Sequence, residues 1–178
     1  MSKRVTLNSL SEIAAYEALL HRSADRASAA VADAQSSSSS MATLYRMKFE
    51  PLGCDPLDAT RALNLVEQLH QTFTYLASFR AAAILFARHP QCGSLNLNLG
   101  TASGWDIESA VPGLIVAEVF AAVTPENNRK LAKDVARMTE ASAENRYVFF
   151  MSPGYAPGPY GVAYAARGVQ VWSLGCAL

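Results

Sequence analysis

The spacing of apolar and polar positions divides the chain into a helical first half and a strand-rich second half. Ile13, Tyr16, Leu20, Ala27, Ala30 or Val31, and Ala34 recur every three or four positions, the period of an amphipathic helix. Ser9-Leu10-Ser11-Glu12 has the form of a capping box in front of it. The seam narrows to small residues after Leu20, which lets a second helix approach closely, either from this chain or from a second copy. Five serines at 36–40 predict a break or weak point, because serine hydroxyls compete for backbone groups. The helical pattern resumes at Met41 and stops near Pro51. Asp55-Pro56 then reads as a helix start, with a capping acid and a proline at the first helical position. Leu63, Val66, Leu69, Phe73, Leu76 and Ile84 carry that helix toward His89-Pro90.

Beyond Pro90 the period falls to two. Leu95, Leu97 and Leu99 alternate with Asn96 and Asn98, the signature of a half-buried strand. Residues 105–109 predict a second short strand, and Val111-Pro112-Gly113 a turn. Residues 114–123 are almost continuously apolar and predict a central strand covered on both faces. Thr124-Pro125-Glu126 starts a helix whose core face is Leu131, Val135 and Met138. Strands follow at 146–151 and 168–174, separated by a loop rich in Pro, Gly and Tyr. This order predicts an α/β fold, with a central mixed β-sheet flanked by helices and a long helical N-terminal extension. The expected division is 1–50 for the extension and 51–178 for the α/β domain.

Composition narrows the function classes. The 178 residues are 51% hydrophobic and 17% charged, enough apolar surface to form a core. Fifteen basic residues balance fifteen acidic ones, so contact with nucleic acid must come from local patches rather than a bulk positive field. Three scattered cysteines and three scattered histidines form neither a disulfide framework nor a zinc motif. No apolar run is long enough for a membrane span and no leader pattern opens the chain, so the expectation is a soluble cytoplasmic protein. Walker, GxGxxG, GxSxG and HExxH motifs are absent.

One charge interrupts the most apolar strand. Glu118 in a covered strand costs several kcal/mol unless it is paired or metal-bound. Asp106, twelve residues earlier and joined through the 111–113 turn, lands beside Glu118 if the two strands are antiparallel. Two adjacent carboxylates call for a basic side chain or a divalent cation, and carboxylate oxygens suit Mg²⁺ or Mn²⁺. The competing account makes Asp106 a turn cap and Glu118 a structural acid paired with Arg129 or Lys130.

Gly104-Trp105-Asp106-Ile107-Glu108-Ser109 followed by Ala117-Glu118-Val119-Phe120 resembles the acid motif of the restriction-endonuclease-like PD-(D/E)XK nuclease superfamily. The resemblance covers residues 60–151: a helix, a hairpin bearing the acids, a crossover helix and a strand. It implies a divalent-metal-dependent nuclease, acting on DNA, with Mg²⁺ or Mn²⁺ held by Asp106, Glu118 and the carbonyl of Val119. Glu67, on the preceding helix, is a further metal acid by the same analogy. The usual strand lysine is replaced by Phe120, on the same face as Glu118. Some members carry this lysine on the following helix, which nominates Lys130 for the water-activating role, with Lys133 as the alternative. The other outcome of losing the strand lysine is an inactive nuclease-fold scaffold that binds a partner protein or a second copy through its N-terminal helices.

Arg129, Lys130, Lys133 and Arg137 are spaced along one flank of that helix, with Asn127 and Asn128 at its start, a pattern suited to phosphate contacts. A solvated face with intrahelical ion pairs is the plainer account. Glu108 is either an acid supporting the site or an exposed strand charge. Tyr155, Tyr160 and Tyr164 either stack on bases or order their loop.

Overall fold

The computed structural model describes residues 3–100, 103–165 and 167–177. The chain forms two compact units, one of residues 14–76 and one of residues 1–13 with 77–178.

The unit 14–76 holds α1 (Ile13–Ser37) from its second residue, α2 (Ser40–Phe49), a two-stranded ribbon of β2 (Gly53–Asp55) and β3 (Asp58–Leu63), and the first half of α3 (Leu65–Arg88). The serine run breaks the helix as its chemistry predicts. Ser36 and Ser37 hydroxyls donate back to the Asp33 carbonyl, and Ser39 caps α2 by accepting from the Ala42 N–H. The expected helix start at Asp55 is not one. Asp55 accepts from the Leu57 N–H in a turn, and the chain returns as β3. The cap belongs to Asn64, whose side chain accepts from the Glu67 N–H. Gln68 is buried at the centre of this unit. Its amide donates to the Ser23 carbonyl (3.0 Å) and hydroxyl (2.8 Å) and accepts from the Cys54 N–H (3.0 Å). One side of α2, comprising Met41, Leu44, Tyr45 and Phe49, is exposed.

The other unit is built on a seven-stranded mixed sheet. To β1 (Arg4–Leu7) it adds β4 (Leu95–Asn98), β5 (Ile107–Ser109), β6 (Ile115–Ala121), β7 (Asn145–Met151), β8 (Gly158–Pro159) and β9 (Gln170–Ser173). Their order across the sheet is β1-β4-β5-β6-β7-β9-β8. The first four strands are antiparallel neighbours, whereas β6-β7 and β7-β9 are parallel. The N-terminus is therefore not purely helical, because residues 4–7 pair with β4 before the chain turns through Leu10–Glu12 into α1. The capping-box geometry is also shifted: Glu12 accepts from the Asn8 N–H, one residue before the expected Ser9.

Strand alternation sorts the sheet into two faces. One carries Leu95, Leu97, Ile107, Ile115, Tyr147 and Phe149, all fully buried. The end of α3 is tied to this face through His89 Nε2–Tyr147 Oη (2.7 Å) and Arg88–Gln170 (3.2 Å), with the Arg88 guanidinium 4.9 Å from the Trp172 ring. The other face carries Val116, Phe120, Val148, Phe150 and Val171 beneath Leu131, Val135 and Met138 of α4 (Lys130–Thr139), which connects β6 to β7. These elements make an α/β arrangement with a mixed sheet and flanking helices, as the alternation of patterns predicts. Among the described residues, no helix is long and apolar enough to cross a membrane.

Candidate functional site

β5 and β6 pair with Ile107 opposite Ala117. Extending that antiparallel register by one residue sets Asp106 opposite Glu118. The hairpin thus places the two predicted acids together, as their spacing around the 111–113 turn requires. Asp106 Oδ2 accepts the Val119 N–H at 2.8 Å, which fixes its carboxylate, at the start of β5, against the backbone of β6. Glu118 projects from the face covered by α4 and is only 3% exposed.

The partner of Glu118 is Arg137, in the last turn of α4, rather than Arg129 or Lys130. The Arg137 guanidinium meets Glu118 Oε1, donates to the Gly104 carbonyl (2.6 Å), and lies 4.6 Å from the centre of the Trp105 ring. Charge, hydrogen bond and cation–π contact together hold it in one place. Lys130, the first residue of α4, binds Asp134 Oδ1 at 2.7 Å and lies 5.6 Å from the centre of the Phe120 ring. An ammonium from the helix therefore reaches the Phe120 side chain.

Asp134, which the sequence offers as an intrahelical ion-pair partner, is buried and pairs with Lys130. Its burial was visible, since it falls on the same helix face as Leu131, Val135 and Met138. With Asp106, Glu118 and Asp134 ionised against Arg137 and Lys130, this cluster carries one negative charge in excess. A proton relieves that excess. Burial first, and the Asp106 charge second, push the Glu118 carboxyl up to about 8, while Arg137 pulls it down. Burial raises Asp134 too, and its contact with Lys130 opposes the shift. The proton is thus held on Glu118, beside Asp106.

The remaining sequence candidates scatter. Asn127 and Asn128 do not form the first turn of an α-helix. They lie in the short 3₁₀ turn Asn127–Arg129, where Asn128 and Arg129 adopt left-handed backbone (φ 52° and 57°), and α4 begins at Lys130. Arg129 and Lys133 are exposed, whereas Lys130 and Arg137 are engaged with Asp134 and Glu118. Of the expected phosphate-binding flank, two cations are thus committed to internal acids. Val119 contributes its N–H to Asp106. Glu67 sits in the first turn of α3, in the unit 14–76. Glu108 is exposed on β5. Tyr155 and Tyr160 pack edge-on against Phe150 (5.3 and 5.1 Å between ring centres), which uses them as cover for the core.

The oxygen donors of Asp106 and Glu118 suit a hard divalent cation that keeps several waters. Arg137 already supplies positive charge to Glu118, so a metal ion has to displace that guanidinium or share Glu118 with it. Among the described residues no group of three or more His, Cys, Asp and Glu is arranged to hold a metal. The fit is therefore that of a two-carboxylate site completed by water. No protein-family model, curated protein or solved structure matches the chain.

Proposed function

We propose that this protein is a divalent-metal-dependent nuclease hydrolysing phosphodiester bonds in nucleic acid, with DNA the expected substrate, on a restriction-endonuclease-like core. The observation that carries the reading is the juxtaposition of Asp106 and Glu118, with a proton held on Glu118 well above the usual carboxylate range. Proton and metal ion are alternative answers to the same excess charge. The order of elements supports it: the end of α3, the β4-β5-β6 meander bearing the acids, the α4 crossover and the parallel strand β7.

In this reading Asp106 and Glu118 hold Mg²⁺ or Mn²⁺, which supplies charge stabilisation for the phosphate. Asp106 is oriented by the Val119 N–H. Lys130, released from Asp134 or shared with it, orients the attacking water from the position above Phe120. Arg137, half-exposed beside Glu118, would be available to a phosphate oxygen. Exposed Arg129 and Lys133 extend the contact along the backbone. With zero formal net charge, non-specific affinity is expected to be low and to fall steeply with salt.

A second reading has its own observation. The Glu118–Arg137 ion pair already neutralises the acid, and Phe120 leaves the strand without its lysine. On that ground the chain is a non-catalytic nuclease-fold scaffold that binds a partner protein or a second copy. Cleavage of single- and double-stranded DNA and RNA with Mn²⁺ and Mg²⁺ separates the two. The nuclease reading expects metal-dependent cleavage lost in Asp106→Asn and in Lys130→Ala. Absence of cleavage on all four substrates, with no metal-induced change in melting temperature, favours the scaffold.

A further inference from the structure

The face of the sheet that bears Glu118 is only half covered. Under α4 it is apolar, but past β6 toward the β1 edge it becomes polar and open. Strand pairing places Arg4 and Thr6 of β1, Asn96 and Asn98 of β4 and Glu108 of β5 on this same face. With Trp105 they line a cavity of about 250 Å³. The Thr6 hydroxyl donates to Asn96 Oδ1 at 2.8 Å, which fixes that amide within the wall. Gly104 and Trp105, which also border the cavity, are the residues that hold Arg137 against Glu118. Gly104 and Trp105 therefore connect the cavity to the acid pair.

We propose that this cavity binds a single nucleobase of the nucleic-acid substrate, beside the phosphodiester presented to Asp106 and Glu118. The choice of ligand rests on the nuclease reading above; the cavity itself does not. Its volume is below the roughly 300–1,000 Å³ of sites for drug-sized ligands, so it suits one ring system rather than a dinucleotide. Its lining has the mixture that reads a base edge. Arg4 donates, Glu108 accepts, and the amide of Asn96 offers both, while Trp105 provides an aromatic surface for stacking. A base displaced from its stack is bound in this way, between an aromatic ring and hydrogen-bonding groups aimed at its edge. Polar side chains on an exposed edge pair of strands need no such grouping for solubility alone. Here five of them converge on one concave site with a tryptophan.

The test titrates the full chain, in EDTA so that no metal site contributes, with each of the four deoxynucleoside 5′-monophosphates and with deoxyribose 5-phosphate. Binding is read by calorimetry and by tryptophan fluorescence. The expected result is saturable binding of at least one nucleotide, none of the sugar phosphate, and affinity weakened about tenfold or more in Asn96→Ala and in Glu108→Ala, both exposed positions whose loss leaves the core intact. No saturable binding of any nucleotide by the native chain overturns the proposal, whatever the variants do. Equal binding of the sugar phosphate, or binding indifferent to both substitutions, overturns it too. Nucleotide binding without metal-dependent cleavage keeps the cavity and removes the catalytic reading. Cleavage by a chain that binds no free nucleotide does the reverse.

Discussion

Glu118→Gln is the substitution whose consequence follows most directly from the geometry. The glutamate is buried beside Asp106, and its carboxyl is raised from an ordinary 4.5 to about 8. Because the folded protein binds this proton more tightly than the unfolded chain does, the contribution to stability is fully present below pH 4.5. It declines as pH rises and is gone above about 8. At about 1.4 kcal/mol per pH unit, the shift corresponds to about 5 kcal/mol as an upper bound. Arg137 is half exposed, so solvent screening moderates the charge balance and about 2–5 kcal/mol is the expected range. Glutamine keeps the shape and removes the titration. Urea unfolding of both proteins from pH 5 to pH 9 in EDTA gives the difference at each pH, and titrations elsewhere cancel in it. The variant is expected to gain on the native protein steadily with pH, becoming the more stable of the two by pH 8–9. In melting temperature that is about 5–15 °C for a chain of this size. A difference that stays flat across the whole range would refute the raised Glu118 titration and mean that Glu118 remains ionised with Arg137 throughout.

Four further outcomes are expected. Asp106→Asn preserves an acceptor for the Val119 N–H and removes the neighbouring charge, so the high-pH loss of stability shrinks; an unchanged pH profile contradicts the pairing. Gln68→Ala strips partners from Ser23 and Cys54 inside the 14–76 unit and is expected to cost about 2–4 kcal/mol by urea midpoint. Tyr147→Phe removes the 2.7 Å contact to His89 and is expected to cost about 1–2 kcal/mol. Burial lowers the His89 pKa, so that histidine's contribution holds above its ordinary 6.5 and is lost as pH falls through its folded value; His89→Gln is expected to flatten that acid-side decline in the same unfolding assay.

The sheet was legible where alternation or an unbroken apolar run reported burial. Leu95-Asn96-Leu97-Asn98 and the 114–123 stretch gave β4 and β6 to within a few residues, and their turn brought Asp106 and Glu118 together. The short strand at Arg4–Leu7 escaped because four residues carry too little periodicity to compete with the helix that follows. Asp55-Pro56 misled because a capping acid before proline also suits a turn, and only the pairing of β2 with β3 decides between them. The partner of Glu118 was the least legible feature. Arg137 lies two turns along α4, and its choice over Arg129 depends on where that helix begins. Two left-handed residues delay the start to Lys130, which rotates the flank and turns Arg137 toward the sheet. Asp134 was visible as an acid on an apolar helix face, but its role required knowing that Lys130 turns inward to meet it.

Direct titration of Mn²⁺ into the native chain and into Asp106→Asn, Glu118→Gln and Arg137→Gln tests the central claim most closely. The account predicts one saturable site in the native protein, with a matching rise in melting temperature by mass action. It predicts loss of that site in the first two variants and tighter binding in Arg137→Gln, where the competing guanidinium is gone. No binding in either the native chain or Arg137→Gln would contradict the claim that Asp106 and Glu118 form a metal site.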